Sequence, residues 1–125
     1  MPRRVKLWGV VVLYMAAIFY VSALQAPPVP VGSDKSLHAL TYLGLAILVV
    51  RAVVGGLPRR IDRSAAAIAI VLTTAYGATD EVHQMFVQGR TADVFDLLAD
   101  ASGAIAGTAA CWAWGIISPV SRDEL

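Results

Sequence analysis

The sequence predicts an all-α, polytopic membrane protein: four transmembrane helices in a compact bundle, both termini cytoplasmic. Three observations predict it. Of 125 residues, 58% are hydrophobic and 15% charged, an oilier balance than ordinary soluble domains have. The apolar residues fall into stretches at roughly 7–24, 37–54, 65–86 and 97–117, each near the ~20 residues that cross a bilayer. The basic residues are lopsided. Arg3, Arg4 and Lys6 precede the first stretch, Arg51, Arg59, Arg60 and Arg63 surround the second connection, and Arg122 follows the last. Only Lys35 and Arg90 fall in the other two connections, so positive-inside bias places both termini in the cytoplasm. A soluble bundle would instead show amphipathic helices with charged outer faces.

The chain reads as a single domain over 1–125. A net charge of +1 with this distribution signals topology rather than a nucleic-acid surface. Cys111 is the only cysteine, which rules out an intramolecular disulfide. No motif for a cofactor or resident metal stands out, and none is expected. The first stretch reads as a retained span, because no small-residue cleavage site stands before the Pro cluster. The terminal Arg122-Asp123-Glu124-Leu125 resembles an ER-retention tetrapeptide, but on this topology it faces the wrong compartment to be read.

The first span carries Tyr20 near its outer edge, with Ser22 bonding back to a carbonyl of its own helix. Pro27, Pro28 and Pro30 stiffen the loop after it. Ser33-Asp34 then supplies an N-cap. On the second span Asp34, His38, Thr41, Tyr42 and Leu45 share one side, with Lys35 at its margin. Gly55, Gly56 and Pro58 end that span. The third begins with Ala65-Ala66-Ala67 and grows polar outward. At 100° per residue, Thr73, Gly77, Asp80 and Gln84 share a face and Glu81 flanks it, so Gln84 can hydrogen-bond either acid. Gly77 would admit a close neighbour. Two adjacent acids at membrane depth must be paired, protonated or hydrated, and the available cations are Arg90, Lys35 and protonated His38.

Val87 to Arg90 reads as a tight turn, and Asp93 as a cap or first-turn acid of the fourth span. There Asp96, Asp100, Gly103, Gly107 and Trp114 form a stripe, with Gly103-x-x-x-Gly107 a helix-packing device. Ionisable groups at this depth mark function by default. They gather near the outer leaflet.

These blocks together, Asp34-Lys35-x-x-His38-x-x-x-Tyr42, Asp80-Glu81-x-x-Gln84-x-Phe86-x-x-x-Arg90 and Asp96-x-x-x-Asp100-x-x-Gly103-x-x-x-Gly107, resemble the VanZ-like family of small bacterial membrane proteins. The resemblance spans nearly the whole chain. Asp100 stands where many members carry Asn, and Gln88 where Pro is common. What the resemblance implies is an integral membrane protein of the cell envelope, from a family whose founding member is linked to glycopeptide resistance. It implies no settled chemistry.

Three functions compete. The favoured one is binding or translocation of a polar, lipid-linked or phosphate-bearing envelope component. Asp34, Lys35, His38, Tyr42, Asp80, Glu81, Gln84, Arg90, Asp96 and Asp100 would line that site, the cations meeting an anion. The second is an accessory subunit whose paired polar network sets helix registry. Third comes an intramembrane hydrolase or transferase, with Glu81 as general base and His38 as acid. Its metal variant would place His38, Asp80 or Glu81, and Asp100 on one divalent ion. Neither a His-Glu-x-x-His nor a Gly-x-Ser-x-Gly motif is present. Partners expected are membrane lipid, the envelope ligand and, for so short a chain, a second copy of itself.

Overall fold

The computed structural model describes residues 2–23, 34–87 and 93–117. The Pro-rich loop, the turn bearing Gln88 and Arg90, and Arg122 lie outside the described residues. So does the side chain of Asp34. Four helices follow in order, α1 (Arg3–Ser22), α2 (Asp34–Val54), α3 (Arg63–Gln84) and α4 (Val94–Ile117), with no strand among the described residues. Each starts two to four residues before the apolar stretch that predicts it. Hydropathy marks only the oily part, whereas helical hydrogen bonding continues through the charged first turn.

Length and composition make α1, α2 and α4 apolar enough to cross a membrane. Helix α3 has the length, 22 residues, but carries Asp80 and Glu81 and is the least apolar of the four. The packing is inside-out relative to a soluble protein. Leu13 is 72% exposed and Phe86 82%, whereas Asp100 and Thr73 are fully buried. Lipid tails can satisfy the first pair; only protein can satisfy the second.

Helix α2 packs against all three others, most extensively against α4, while α1 touches α2 and, less, α3. Small residues bring α2 and α4 together. A Cβ on Gly103 would collide with the Ala39 carbonyl oxygen, and one on Gly107 would come within 2.5 Å of the Leu43 carbonyl oxygen. Without a hydrophobic drive between helices in lipid, close backbone approach is what associates them.

The helix ends are closed by local chemistry. Gly55 (φ 84°) and Gly56 (φ 129°) take the left-handed conformations that end α2. The carbonyls freed there accept from cations: Arg3 Nε donates to Gly55 O at 3.1 Å, and Arg59 Nη1 to Val54 O at 2.7 Å. The Asp62 carboxylate caps α3 by accepting the Ala65 N–H at 2.8 Å. Arg3, Arg59, Asp62 and Arg63 thus occupy one end of the helices. Toward that end the interior is apolar, built on Leu7, Val11, Leu45, Val49, Val50, Ile61, Ala65, Ala69 and Cys111. Toward the other end it turns polar.

Candidate functional site

The polar end assembles side chains from the first turns of α2, the last turns of α3 and the first turns of α4. Buried α3 residues are Ala65, Ala69, Thr73, Gly77, Asp80, Glu81 and Gln84, a face that matches the 3.6-residue spacing. On α4, Asp96, Asp100, Gly103 and Gly107 are buried, and the buried arc continues through Ala104, Thr108, Cys111 and Gly115. Trp114 leaves the stripe and is 46% exposed. Gly115 takes the inward place, where a Cβ would strike the Arg59 carbonyl of the α2–α3 connection.

Helix α2 supplies Lys35, His38 and Tyr42, one turn apart. Lys35 Nζ donates to Asp93 Oδ2 at 2.7 Å and forms a very short contact with Asp96 Oδ1. It is therefore not the counter-ion of Asp80 or Glu81 that the charge inventory suggested; the start of α4 reaches it first. Its side chain stays 48% exposed, while that of Asp96 is only 6% exposed. Asp93, just before α4, has two tasks. Its Oδ1 accepts the Phe95 N–H at 2.8 Å, capping α4, while Oδ2 takes Lys35. The Lys35 ammonium, with help from that capping bond, holds the Asp93 carboxyl below its ordinary value.

Deeper, His38 Nδ1 lies 2.8 Å from Asp100 Oδ1, and His38 Nε2 lies 3.8 Å from Asp96 Oδ2. Tyr42, parallel to His38 one turn on, donates its hydroxyl to Asp80 Oδ2 at 3.4 Å. Glu81 Oε2 accepts the Asp93 N–H at 2.9 Å, a contact that sets a carboxylate against the start of α4. Gly77 makes the room these acids need: a Cβ there would lie 2.8 Å from Asp100 Oδ2 and 3.1 Å from the Asp100 Cβ.

Gln84 is turned elsewhere. Its Nε2 donates to Ser22 Oγ at 3.3 Å, tying α3 to the end of α1. Neither carboxylate receives it, and the Ser22 hydroxyl, expected to serve its own helix, accepts from another. His83, further round α3, stacks on Phe19 with centroids 4.2 Å apart. Two tyrosines go unread in the sequence because their partners are backbone atoms. Tyr14 donates to Thr41 O at 2.7 Å, and Tyr76 to Met15 O at 2.6 Å. A backbone acceptor leaves no side-chain signal.

Three carboxylate oxygens in this region, Asp80 Oδ1, Glu81 Oε1 and Asp100 Oδ2, are buried and make no hydrogen bond among the described residues. Their residues are each more than nine-tenths buried. Leaving such atoms unsatisfied is costly in a medium without water. One ligand atom each from His38, Glu81 and Asp100 lies within 4.8 Å of the others. Asp80, Glu81, Asp93, Asp96 and Asp100 face only Lys35 and His38, so the described part of the site is negative. It is chemically disposed to hold positive charge or hydrogen-bond donors.

A family model described as VanZ/LLP1 matches residues 10–117, which takes in α2, α3, α4 and most of α1. Neither the curated proteins nor the solved structures contain a match.

Proposed function

The chain belongs to the VanZ/LLP1 family, and from that premise we propose that its buried acidic cluster is a binding site for a polar or lipid-linked component of the cell envelope. In this reading all four helices span a bacterial cytoplasmic membrane, α3 included, as a compact bundle with both termini cytoplasmic. The basic end, with Arg3, Arg51, Arg59 and Arg63, faces the cytoplasm by the positive-inside rule. The Lys35–Asp93 end, and the acids beneath it, then lie toward the extracytoplasmic side.

The observation that carries the proposal is the set of carboxylate oxygens on Asp80, Glu81 and Asp100 that have no partner among the described residues. A network that only fixed helix registry would satisfy its own members, because a half-satisfied buried network is worse than an apolar core. A ligand bringing amine, hydroxyl or amide donors would satisfy these. A bare anion is disfavoured, since Lys35 is already shared between Asp93 and Asp96. Lys35 and Asp93 are the half-exposed members and form the rim.

Native mass spectrometry of the chain released from its own membrane tests this. The wild type should retain a polar lipid or headgroup adduct that Asp100→Asn and Glu81→Gln lose while keeping their helicity. Retention of the same adduct by both folded variants would exclude the site.

A further inference from the structure

We infer that His38, Glu81 and Asp100 together form a site for one divalent transition ion, of the Zn²⁺ or Mn²⁺ kind. The inference rests on reading the cluster as a ligand-binding one and names the ligand at its deep end.

The donor set is suited to such an ion. Imidazole favours zinc, iron and their neighbours, whereas carboxylates favour manganese, magnesium and calcium; a mixed set selects borderline divalent ions. Two carboxylates and a neutral imidazole balance a double positive charge, which matters most where little solvent screens it. Geometry agrees. Ligand atoms ~2.0–2.2 Å from one ion lie roughly 3.0–3.5 Å from one another. The His38 Nδ1–Asp100 Oδ1 separation is 2.8 Å, and the three donors lie within 4.8 Å of each other. Closing that to a coordination sphere takes about 1–2 Å of side-chain adjustment.

Two further features point the same way. Glu81 Oε1 and Asp100 Oδ2 are among the buried oxygens without a hydrogen bond among the described residues, so both acids keep a lone-pair face turned from those residues while their other oxygens are held by Asp93 N–H and His38. In addition, His38 turns Nδ1 toward Asp100 and Nε2 toward Asp96. With the ion on Nδ1, the proton resides on Nε2 and faces the Asp96 carboxylate, itself fixed by Lys35. That is the carboxylate–histidine–metal arrangement by which outer partners orient a ligating imidazole. A bound dication would also cancel the charge of its two ligating carboxylates, which lowers the repulsion that a phosphate-bearing headgroup meets at the site.

The full chain in lipid nanodiscs, stripped with chelator, should be titrated with Zn²⁺, Mn²⁺, Mg²⁺ and Ca²⁺ by equilibrium dialysis. Zn²⁺ or Mn²⁺ should bind at equimolar stoichiometry and more tightly than Mg²⁺ or Ca²⁺. Loss of an outer-shell partner typically weakens a metal about 10–100-fold, so Asp96→Asn should fall in that range and His38→Ala, Glu81→Gln and Asp100→Asn beyond it. Asp62→Asn, at the other end of the helices, should leave affinity unchanged. Should the ligand variants fail to fold, wild-type protein with Mn²⁺ gives an independent reading, because pulsed EPR should detect coupling to a histidine nitrogen. No equimolar binding, undiminished binding in folded variants, or Mn²⁺ without nitrogen coupling overturns the inference. If the chelated protein keeps its lipid adduct and takes up no ion, the metal site falls and the ligand-binding reading stands. If both adduct and ion are missing, both fall.

Discussion

Gly103 gives the sharpest test of how packing holds the polar site. A methyl placed there meets backbone, not a yielding side chain: the Ala39 carbonyl, with Leu43 N at 2.9 Å and Ala39 C at 3.0 Å. Ordinary contact begins at 3.4 Å, so the Leu43 contact alone asks α2 and α4 to part by about half an ångström, and the closer carbonyl asks for more. Ala39 follows His38, and Gly103 lies one turn beyond Asp100, so the separation occurs at the level of their bond. A His38–Asp100 distance of 2.8 Å would stretch to about 3.3 Å, past the usual ~3.2 Å limit. Overpacking costs about 1–3 kcal/mol, and a hydrogen bond to a charged group adds about 1.5–3 kcal/mol if it is lost. Gly103→Ala should therefore destabilise by roughly 3–5 kcal/mol, with the site disrupted in the surviving folded fraction. The control is Gly9→Ala on α1, where nothing lies within 4 Å of the added Cβ; replacing a mid-helix glycine there should be neutral or stabilising by up to about 1 kcal/mol. Steric-trapping or SDS-titration unfolding of the two variants in one detergent reads the difference. Equal stability would refute the claim that α2 and α4 are held at backbone contact.

Other outcomes follow from the same geometry. Gly77→Ala should push the Asp100 carboxylate out of its seat, lowering metal and adduct retention far more than helicity, as dialysis and circular dichroism would show. Tyr14→Phe removes the 2.7 Å bond to Thr41 O and should cost about 0.5–1.5 kcal/mol in the same unfolding assay; no loss would mean the hydroxyl is not a strut between α1 and α2. Asp93 should titrate below the ordinary ~3.9 because Lys35 favours its ionised form. The stabilisation of that pair is then fully present above the ordinary carboxylate value and fades as pH falls through the lower folded one. Carboxyl NMR should find Lys35→Ala returning Asp93 upward, and an unmoved midpoint would remove Lys35 as the cause.

Much of the site was legible because helix periodicity is a local property. Spacing alone puts Thr73, Gly77, Asp80 and Gln84 on one face and Asp96, Asp100, Gly103 and Gly107 on another, and those residues are buried. The composition likewise marks α1, α2 and α4 as membrane-length apolar helices. Spacing fails at Trp114 because the element that covers the last turns of α4, the chain near Arg59, lies to one side of the ideal stripe. Asp93 reads as a cap, and it is one; that it also holds Lys35, 58 residues away, has no local signature.

What the sequence by itself determined was the kind of element, its polar face and the end at which the polar residues gather. Each follows from residue order along a single helix. The tertiary structure alone decided the pairings: Lys35 with Asp93 and Asp96, His38 with Asp100, Gln84 with Ser22. A periodic pattern gives the direction of a side chain about its own axis, but not how deep or how rotated the neighbouring helix stands. Those two quantities are set by where backbones can touch, at Gly103 against Ala39 and at Gly107 against Leu43. Seated there, α4 presents Asp100 to His38 and leaves the second oxygen of that acid turned toward Gly77.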